Sequence, residues 1–372
     1  MAVPFIDLKR FEPGFLDRWA DICRDTSANT RFVGGPEVQR LEQRLAELTG
    51  ATEVVGCANG TDALQLALRA IGVGEGDVVV IPDATFWATF EAVINVGAKP
   101  VTVDIDEGDL QLDVDAFRES IKTYRPKAAI LVHLYGWGSA KLQELRSIAA
   151  EAGVLLVEDG AQVLGAEVDG VSPYRDATIA TVSFYPAKVL GACGDAGAVF
   201  CSTAEQAQVV RQLGNHGRTS HYFHGLVGWN SRMGGLEAGY LNLGLDVLEA
   251  RLDSRREVAE RYRRELADSG LRLIAPPDNW RENGYLSVAL IDPERRDDFQ
   301  AVLREHGIGF GNVYPSSIAT QPGAEPWLVG QVGGEIADRV SRGVVNLPLF
   351  ASMREEEVAE VISVAGEAAK VL

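Results

Sequence analysis

The sequence predicts an α/β fold: a large domain in which helices sandwich a mostly parallel mixed sheet, followed by a smaller α+β domain. Two observations predict this class. Between about Thr52 and Val199, short runs rich in Val and Ile alternate with segments whose apolar residues recur at helical spacing. The length of 372 residues is also sufficient for two domains with a sizeable buried core.

The alternating segments give the order of the elements. The predicted strands lie within EVVGCAN (53–59), DVVVIPD (77–83), KPVTVDI (99–105), AAILVHL (128–134), VLLVEDG (154–160) and TIATVSF (178–184). The predicted helices lie within ALQLALRAIG (63–72), TFEAVINVGA (89–98) and LQELRSIAAEAG (142–153). Asn59 or Thr61 is suited to cap the first of these helices, and Gly153 is suited to end the last.

The domain boundary is predicted near residue 240, with the large domain over 1–240 and the smaller α+β domain over 241–372. The segment YLNLGLDVLEARLDSRREVAERYRRELADSG (240–270) has apolar residues at helical spacing and is predicted to form one long or broken helix that joins the domains. The runs YLSVALI (285–291) and NLPLF (346–350), with a C-terminal helix, complete the smaller domain.

Charge and composition exclude several classes of protein. The 35 basic and 53 acidic residues give a formal charge of −18, and no basic stripe with aromatic residues is present, so nucleic-acid binding is not expected. No apolar run reaches the roughly 18 residues of a membrane helix, and the start MAVPFIDLKRFEP lacks a leader pattern, so a cytoplasmic protein is predicted. The cysteines are irregularly spaced, and the histidines of NHGRTSHYFHG (215–225) have no acidic or thiol partner nearby, so no metal site is predicted.

Four segments directly after predicted strands carry the candidate chemistry, because ligands of α/β sheets bind beyond the carboxyl ends of the strands. They are 57–62, 83–89, 157–162 and 183–188. In the first, Gly60 precedes a helix whose free N–H groups suit a phosphate, with plain turn chemistry as the alternative. In the second, Phe86 is suited to stack on a flat ligand, with a core position as the alternative.

The other two segments hold the ionisable candidates. Asp159 ends a strand, where it either caps the next helix or pairs with the protonated ring nitrogen of a cofactor. Gln162 follows closely and would then lie beside that ring. Lys188 precedes the glycine-rich segment GACGDAGAVF (191–200) and has apolar or small neighbours, as expected of an amine that attacks a carbonyl. A solvated surface charge is the alternative for Lys188.

Together and in this order, the motifs resemble the DegT/DnrJ/EryC1/StrS family of sugar aminotransferases. These are pyridoxal phosphate (PLP) enzymes of the fold-type I aspartate aminotransferase superfamily. The resemblance covers nearly the whole chain, and its main segments are PFIDLKR (4–10), GTDALQLAL (60–68), VEDGAQVLGA (157–166), SFYPAKVLGACGDAGAV (183–199), GWNSRMGGLEAGYL (228–241), VYPSSIATQP (313–322) and NLPLF (346–350). An ordered set of this extent is far more specific than any one motif, and it implies that the large domain binds the cofactor.

The resemblance also implies roles for individual residues. Lys188 binds the cofactor covalently and shuttles a proton to and from the substrate carbon, while Asp159 pairs with the pyridine nitrogen. Gln162 lies beside the ring and its 3-hydroxyl, and Phe86 stacks on the opposite face.

The phosphate ligands and the partner follow from the same resemblance. Gly60, Thr61 and Ser183 bind the phosphate, and Asn230 reaches it from the neighbouring subunit, so a homodimer with shared active sites is implied. The candidate contacts to sugar or diphosphate are Arg232 and Tyr314, with an ion pair at the subunit boundary as the alternative for Arg232. The chain departs from the family at Ile318, where many members carry a histidine near the Tyr-Pro pair.

The function implied is transfer of an amino group from glutamate to the ketone of a nucleotide-linked sugar, giving an amino sugar for a surface polysaccharide, lipid A or a secondary metabolite. CANGTDALQ (57–65) and NSR (230–232) are closest to members that act on 3-keto, UDP-linked N-acetylated hexoses, with 4-keto sugars second. Lys188 argues against members that carry histidine there and eliminate a hydroxyl, and the scattered cysteines do not supply an iron–sulfur cluster. A PLP-dependent sugar dehydratase or deoxygenase and a non-catalytic regulator with this fold remain as alternatives.

Overall fold

The computed structural model describes residues 1–371, with side chains through residue 370. Its strands are β1 (Glu53–Cys57), β2 (Val78–Pro82), β3 (Lys99–Val103), β4 (Ala128–Val132), β5 (Leu155–Asp159), β6 (Glu167–Val168), β7 (Ile179–Ser183), β8 (Gly197–Cys201), β9 (Arg218–Ser220), β10 (Phe223–His224), β11 (Arg272–Leu273), β12 (Trp280–Arg281), β13 (Ser287–Leu290), β14 (Gly330–Val332) and β15 (Val344–Leu347).

The helices cover the sheet and build the C-terminal part. They are α1 (Phe15–Ala28), α2 (Pro36–Thr49), α3 (Gly60–Ala70), α4 (Trp87–Asn95), α5 (Val114–Tyr124), α6 (Leu142–Ala152), α7 (Ala204–Gly214), α8 (Gly235–Asp246), α9 (Leu248–Glu265), α10 (Arg296–Glu305), α11 (Glu335–Gly343) and α12 (Glu355–Ala368), followed by a 3-10 turn over Ala369–Val371. Across residues 1–371, none of the helices combines the length and the apolar character needed to cross a membrane.

The central sheet has eight strands in the order β1-β8-β7-β5-β4-β2-β3-β14. Strand β8 runs antiparallel to both of its neighbours, and the other pairs are parallel. The predicted α/β class with a mostly parallel mixed sheet is confirmed. All six predicted strands form, and they supply β1 to β5 and β7.

Side-chain alternation along the strands divides the core between the two faces of the sheet. On β1, Val54 belongs to one buried cluster and Val55 to the other, and on β2 Val80 and Val79 are divided in the same way. A third buried cluster lies in the C-terminal part and includes Tyr262. Burial on both faces explains why these strands appear in the sequence as continuous apolar runs.

Local signals for helix ends were correct. The side chain of Asn59 caps α3, since its Oδ1 accepts a hydrogen bond from the N–H of Asp62 (2.8 Å). Gly153 follows α6 in the left-handed conformation, with φ of 70°. The segment predicted as one long or broken helix is broken, because α8 and α9 are separated at Val247.

Several contacts cross the predicted boundary at residue 240, among them the pairing of β12 with β6. Strand β14, from the C-terminal part, extends the central sheet by pairing with β3. At the other end of the chain, Val3 forms a bridge with Ile308 and is buried in the C-terminal cluster. Three further strands, β11, β13 and β15, form a separate antiparallel sheet in the C-terminal part. The predicted ranges 1–240 and 241–372 are therefore not separate in space. The later range contributes β14 to the central sheet, and the start of the earlier range packs in the C-terminal part.

Candidate active site

The candidate residues of the sheet lie at the carboxyl ends of two neighbouring parallel strands. Asp159 is the last residue of β5 and Ser183 the last of β7, and the N–H of Gly160 donates to the carbonyl of Thr181 across this edge (2.9 Å). Lys188 follows β7 in a turn and is half-buried. The fold thus brings residues that are distant in sequence to one edge of the sheet, as predicted.

Two adjacent carboxylates end β5, and protein side chains neutralise only one of them. Glu158 and Asp159 point to opposite faces of the sheet because side chains alternate along a strand. Glu158 accepts a hydrogen bond from Arg146 (Nε to Oε1, 2.8 Å) and contacts His133 (Nε2 to Oε2, 3.0 Å). Burial raises the pKa of Glu158, but these two contacts bring that pKa below its usual value. Asp159 is therefore the carboxylate that is left for a ligand.

Asp159 is buried, at 6% exposure, and its hydrogen bonding is incomplete. Its Oδ1 accepts from the N–H of Ala161 (3.0 Å), but its Oδ2 has only a long bond from the hydroxyl of Thr89 (3.5 Å). Burial raises the pKa of Asp159, while the Ala161 N–H and the Lys188 ammonium oppose that shift. Turns, not a helix, follow at 161–165, so Asp159 caps no helix. A cationic ring nitrogen facing Oδ2 would fit this carboxylate.

Tyr285, which the sequence did not single out, holds the amine of Lys188. Nζ donates to the Tyr285 hydroxyl (3.3 Å) and lies 4.8 Å from the centre of its ring. Asn283 fixes this segment: its Oδ1 accepts from the Tyr285 N–H (2.9 Å), and its Nδ2 donates to the carbonyl of Gln162 (2.9 Å). In the sequence, YLSVALI was only one of the runs that predicted the smaller α+β domain, and no short-range signal pointed to a contact between its first residue and Lys188.

Gln162, Tyr314 and Phe86 form a connected wall. Gln162 accepts a hydrogen bond from the N–H of Tyr135 (2.6 Å) and donates one to the hydroxyl of Tyr314 (3.0 Å). The rings of Tyr314 and Phe86 have centres 5.4 Å apart. Phe86 is 53% exposed, which excludes the core position that was its alternative. The hydroxyl of Tyr314, a candidate sugar contact, is bonded to Gln162.

Gly60 and Thr61 begin α3 next to Ser183. Their N–H groups have no acceptor one helical turn earlier, so they are available to an anion. A side chain on Gly60 would place its Cβ 2.6 Å from the Cβ of Ser183, so this approach requires glycine. The arrangement fits a phosphate group held between the start of α3 and the end of β7.

Asn230 and Arg232 lie on the surface. The Oδ1 of Asn230 accepts two hydrogen bonds from Arg232, from Nη2 (2.6 Å) and Nε (3.1 Å). Arg232 also approaches the Oδ1 of Asn215 (Nη1, 3.5 Å). Among the residues with described side chains, Arg232 makes no salt bridge. Ile318, where many family members carry a histidine, is buried in the core cluster that contains Val55.

An α/β sheet that presents a half-buried lysine and a buried strand-end carboxylate at one edge is compatible with a PLP-dependent aminotransferase, and comparison with known proteins shows that class. The model of the DegT/DnrJ/EryC1/StrS aminotransferase family matches residues 18–365. The chain belongs to this family. Enzymes of the family depend on PLP, so the predicted family, enzyme class and cofactor are confirmed.

Individual proteins resemble the chain over almost its whole length. The UDP-N-acetyl-3-dehydro-alpha-D-glucosamine 3-aminotransferase of Acidithiobacillus ferrooxidans is 34% identical, over 98% of this chain and 97% of that protein. The UDP-2-acetamido-2-deoxy-3-oxo-D-glucuronate aminotransferase of Pseudomonas aeruginosa is 35% identical, over 93% of this chain and 95% of that protein. The crystal structure of DesV from S. venezuelae is similar with a TM-score of 0.93 and 33% identity, covering 99% of both chains.

Proposed function

We propose that the chain moves an amino group from glutamate to the keto carbon of a nucleotide-linked hexose, at C-3 with C-4 as the alternative. The observation that carries the proposal is the convergence of Lys188, Asp159 and Gln162 at one edge of the sheet. Support for C-3 and for a UDP-linked sugar comes from the two relatives above, because both of their names specify a 3-keto sugar linked to UDP.

In the proposal, the residues of the site divide the work of proton transfer. Bound PLP supplies an acceptor for the electron pair that is released when the substrate carbon loses its proton. Lys188 Nζ takes up and returns that proton, and the Tyr285 hydroxyl, 3.3 Å away, positions the amine. Asp159 keeps the ring nitrogen protonated, because a buried carboxylate stabilises a cation next to it. Gln162 and Phe86 line the ring.

In this proposal, the phosphate group of PLP is bound by Gly60, Thr61 and Ser183. Asn230 of a second copy of the chain completes the phosphate site. Exposed apolar residues near Asn230 support a second copy. On and just after the β9–β10 hairpin, Tyr222 is 82% exposed and Val227 is 84% exposed. Large apolar residues exposed together are typical of a surface that is covered by a partner.

The substrate assignment is tested with a panel of UDP- and dTDP-linked 3-keto and 4-keto hexoses, each supplied with L-glutamate. We expect one 2-oxoglutarate per amino sugar formed, with the highest kcat/KM on a UDP-linked 3-keto sugar. A dehydratase or deoxygenase would instead release ammonia or consume a reductant without a stoichiometric 2-oxo acid. If glutamate reacts with the enzyme but no sugar of the panel accepts the amino group, the sugar class is wrong.

A further inference from the structure

Arg255, in α9, is a buried arginine without a carboxylate partner among the residues with described side chains. It is 6% exposed, and its Nη1 donates to the carbonyls of Leu349 (3.1 Å) and Gly284 (3.3 Å). Its Nε is shielded from solvent and has no hydrogen-bond partner among the described atoms. A carboxylate oxygen is as large as a water molecule and cannot reach the shielded Nε, so Nη2, which makes no hydrogen bond to a described residue, is the donor left for a ligand anion.

Other arginines that line the same cavity are already neutralised. Arg10 forms a salt bridge with Glu357 (2.6 Å), and Arg251 forms one with Glu12 (2.6 Å). Arg255 shares their cavity without such a partner. A buried cation without a counter-charge is destabilising, so binding of an anion from a ligand is favourable at this position.

Arg255 and Lys188 line the same cavity. The segment 284–285 contacts both residues, because the Gly284 carbonyl accepts from Arg255 Nη1 and the Tyr285 hydroxyl accepts from the Lys188 amine. The Tyr285 hydroxyl lies 3.3 Å from the amine, and the preceding Gly284 packs so closely that an added Cβ would lie 2.6 Å from the Cβ of Arg255. Burial lowers the pKa of Arg255 to about 10, against an opposing effect of the Tyr285 phenol, so the guanidinium stays charged at neutral pH.

We propose that Arg255 binds a carboxylate of the amino donor in the cavity next to Lys188. The inference rests on the proposed transamination with glutamate and adds the residue that recognises the donor. It also explains how the fold tolerates the buried guanidinium, since the working enzyme supplies the missing anion. A carboxylate on the sugar substrate would bind Arg255 through the same chemistry. The two half-reactions distinguish these two carboxylates, because the amino donor takes part only in the first and the sugar only in the second.

The first test is binding without turnover. Glutarate is a dicarboxylate without an amino group, and calorimetry on the PLP-loaded protein measures its affinity directly. We expect Arg255→Gln to weaken glutarate binding about 50-fold, the size typical of a lost hydrogen bond to a charged group. Arg251→Gln is the matched control, because Arg251 lines the same cavity but is paired with Glu12, and its effect should stay within about threefold.

The second test separates the two half-reactions by single-turnover kinetics. With L-glutamate, Arg255→Gln should raise the half-saturating concentration by a similar factor, whereas transfer to a nucleotide-linked keto sugar whose hexose carries no carboxylate should keep its half-saturating concentration. Arg255→Lys keeps the charge but has a shorter side chain without the planar guanidinium, so about tenfold weakening is expected. If Arg255→Gln does not fold, Arg255→Lys tests the inference in its place.

Equal glutarate affinity in wild type and both Arg255 variants would overturn the inference, and so would an effect confined to the sugar half-reaction. Failure of the proposed function gives a different result. In that case the wild type does not react with glutamate, yet glutarate binding still depends on Arg255, and the carboxylate site stands.

Discussion

The charge of Asp159 matters at the scale of single residues because Asp159 forms no salt bridge with the described side chains. Its neighbour Glu158 is bound by Arg146 and contacts His133 on the other face of the sheet. Asp159 has one good hydrogen bond, from the Ala161 N–H, and one long one. An asparagine would preserve that good hydrogen bond while removing the charge, so this substitution isolates the electrostatic role of the residue.

We expect Asp159→Asn to fold and to bind PLP, but to lose on the order of a hundredfold or more in the half-reaction with glutamate. The loss corresponds to roughly 3 kcal/mol of transition-state stabilisation, because the ring nitrogen no longer has a carboxylate that keeps it protonated. Single-turnover absorbance measurements with L-glutamate alone test this without knowledge of the sugar.

Glu158→Gln is the matched control for this prediction. It removes the adjacent charge on the opposite face, where the contacts to Arg146 and His133 are structural. We expect a lower melting temperature with a nearly unchanged rate of the glutamate half-reaction. A near wild-type rate for Asp159→Asn would contradict the assignment of Asp159 to the ring nitrogen.

At the scale of elements, one ion pair fastens the N-terminal segment to α12. Arg10 donates to both carboxylate oxygens of Glu357 (2.6 and 3.0 Å), and the N–H of Arg354 donates to the same carboxylate (2.8 Å). The hydrogen bond from Arg10 is the main reason why the pKa of Glu357 falls to about 2. The segment that contains Arg10 also lines the cavity of Lys188, so this contact helps to shape the site.

We expect Glu357→Gln to lower the free energy of unfolding at pH 7 by about 2 kcal/mol. The pKa of Glu357 is lower in the folded than in the unfolded chain, so the charge stabilises the fold above the unfolded pKa. That stabilisation is lost as pH falls from about 4.5 towards about 2, and the difference between variant and wild type should shrink over this range.

Urea unfolding at pH 7, 4 and 3, at one fixed protein concentration, measures this dependence. Glu356→Gln, one residue earlier on α12 and exposed, is the control and should change stability by less than about 0.5 kcal/mol at each pH. A difference for Glu357→Gln that is independent of pH would show that the ion pair with Arg10 does not carry the effect.

At the scale of the whole molecule, the proposed site needs two copies of the chain. Lys188 and Asn230 then belong to one site but come from different subunits, and Asn230→Asp places a negative charge against the phosphate. We expect Lys188→Ala and Asn230→Asp each to be inactive alone. Their mixed dimer has one intact site, so a randomly reassembled mixture should recover about a quarter of wild-type activity.

Size-exclusion chromatography with light scattering on the mixed sample establishes the oligomeric state, and the 2-oxoglutarate assay establishes activity. Wild type reassembled in the same way is the control for losses during mixing. An active monomer, or a mixture that forms dimers and stays inactive, would contradict a site shared between subunits.

The sequence by itself determined the class of fold and singled out the two ionisable residues at the centre of the proposed site. Apolar periodicity is a local property, so the six strands and the ends of α3 and α6 could be predicted from short windows. Asp159 and Lys188 were singled out because one ends a predicted strand and the other lies shortly after one, and parallel strands present their carboxyl ends at one edge. The ordered motifs then identified the family.

The tertiary structure decided which groups surround those two residues. Tyr285 contacts Lys188 although the two lie 97 positions apart in the sequence, and Arg255 of α9 lines the cavity that Lys188 also lines. Neither Tyr285 nor Arg255 lies in a distinctive local pattern. Sequence patterns also cannot show which of Glu158 and Asp159 is neutralised, since that depends on where Arg146 packs. Charge compensation is a property of three-dimensional neighbours, and only packing brings those neighbours together.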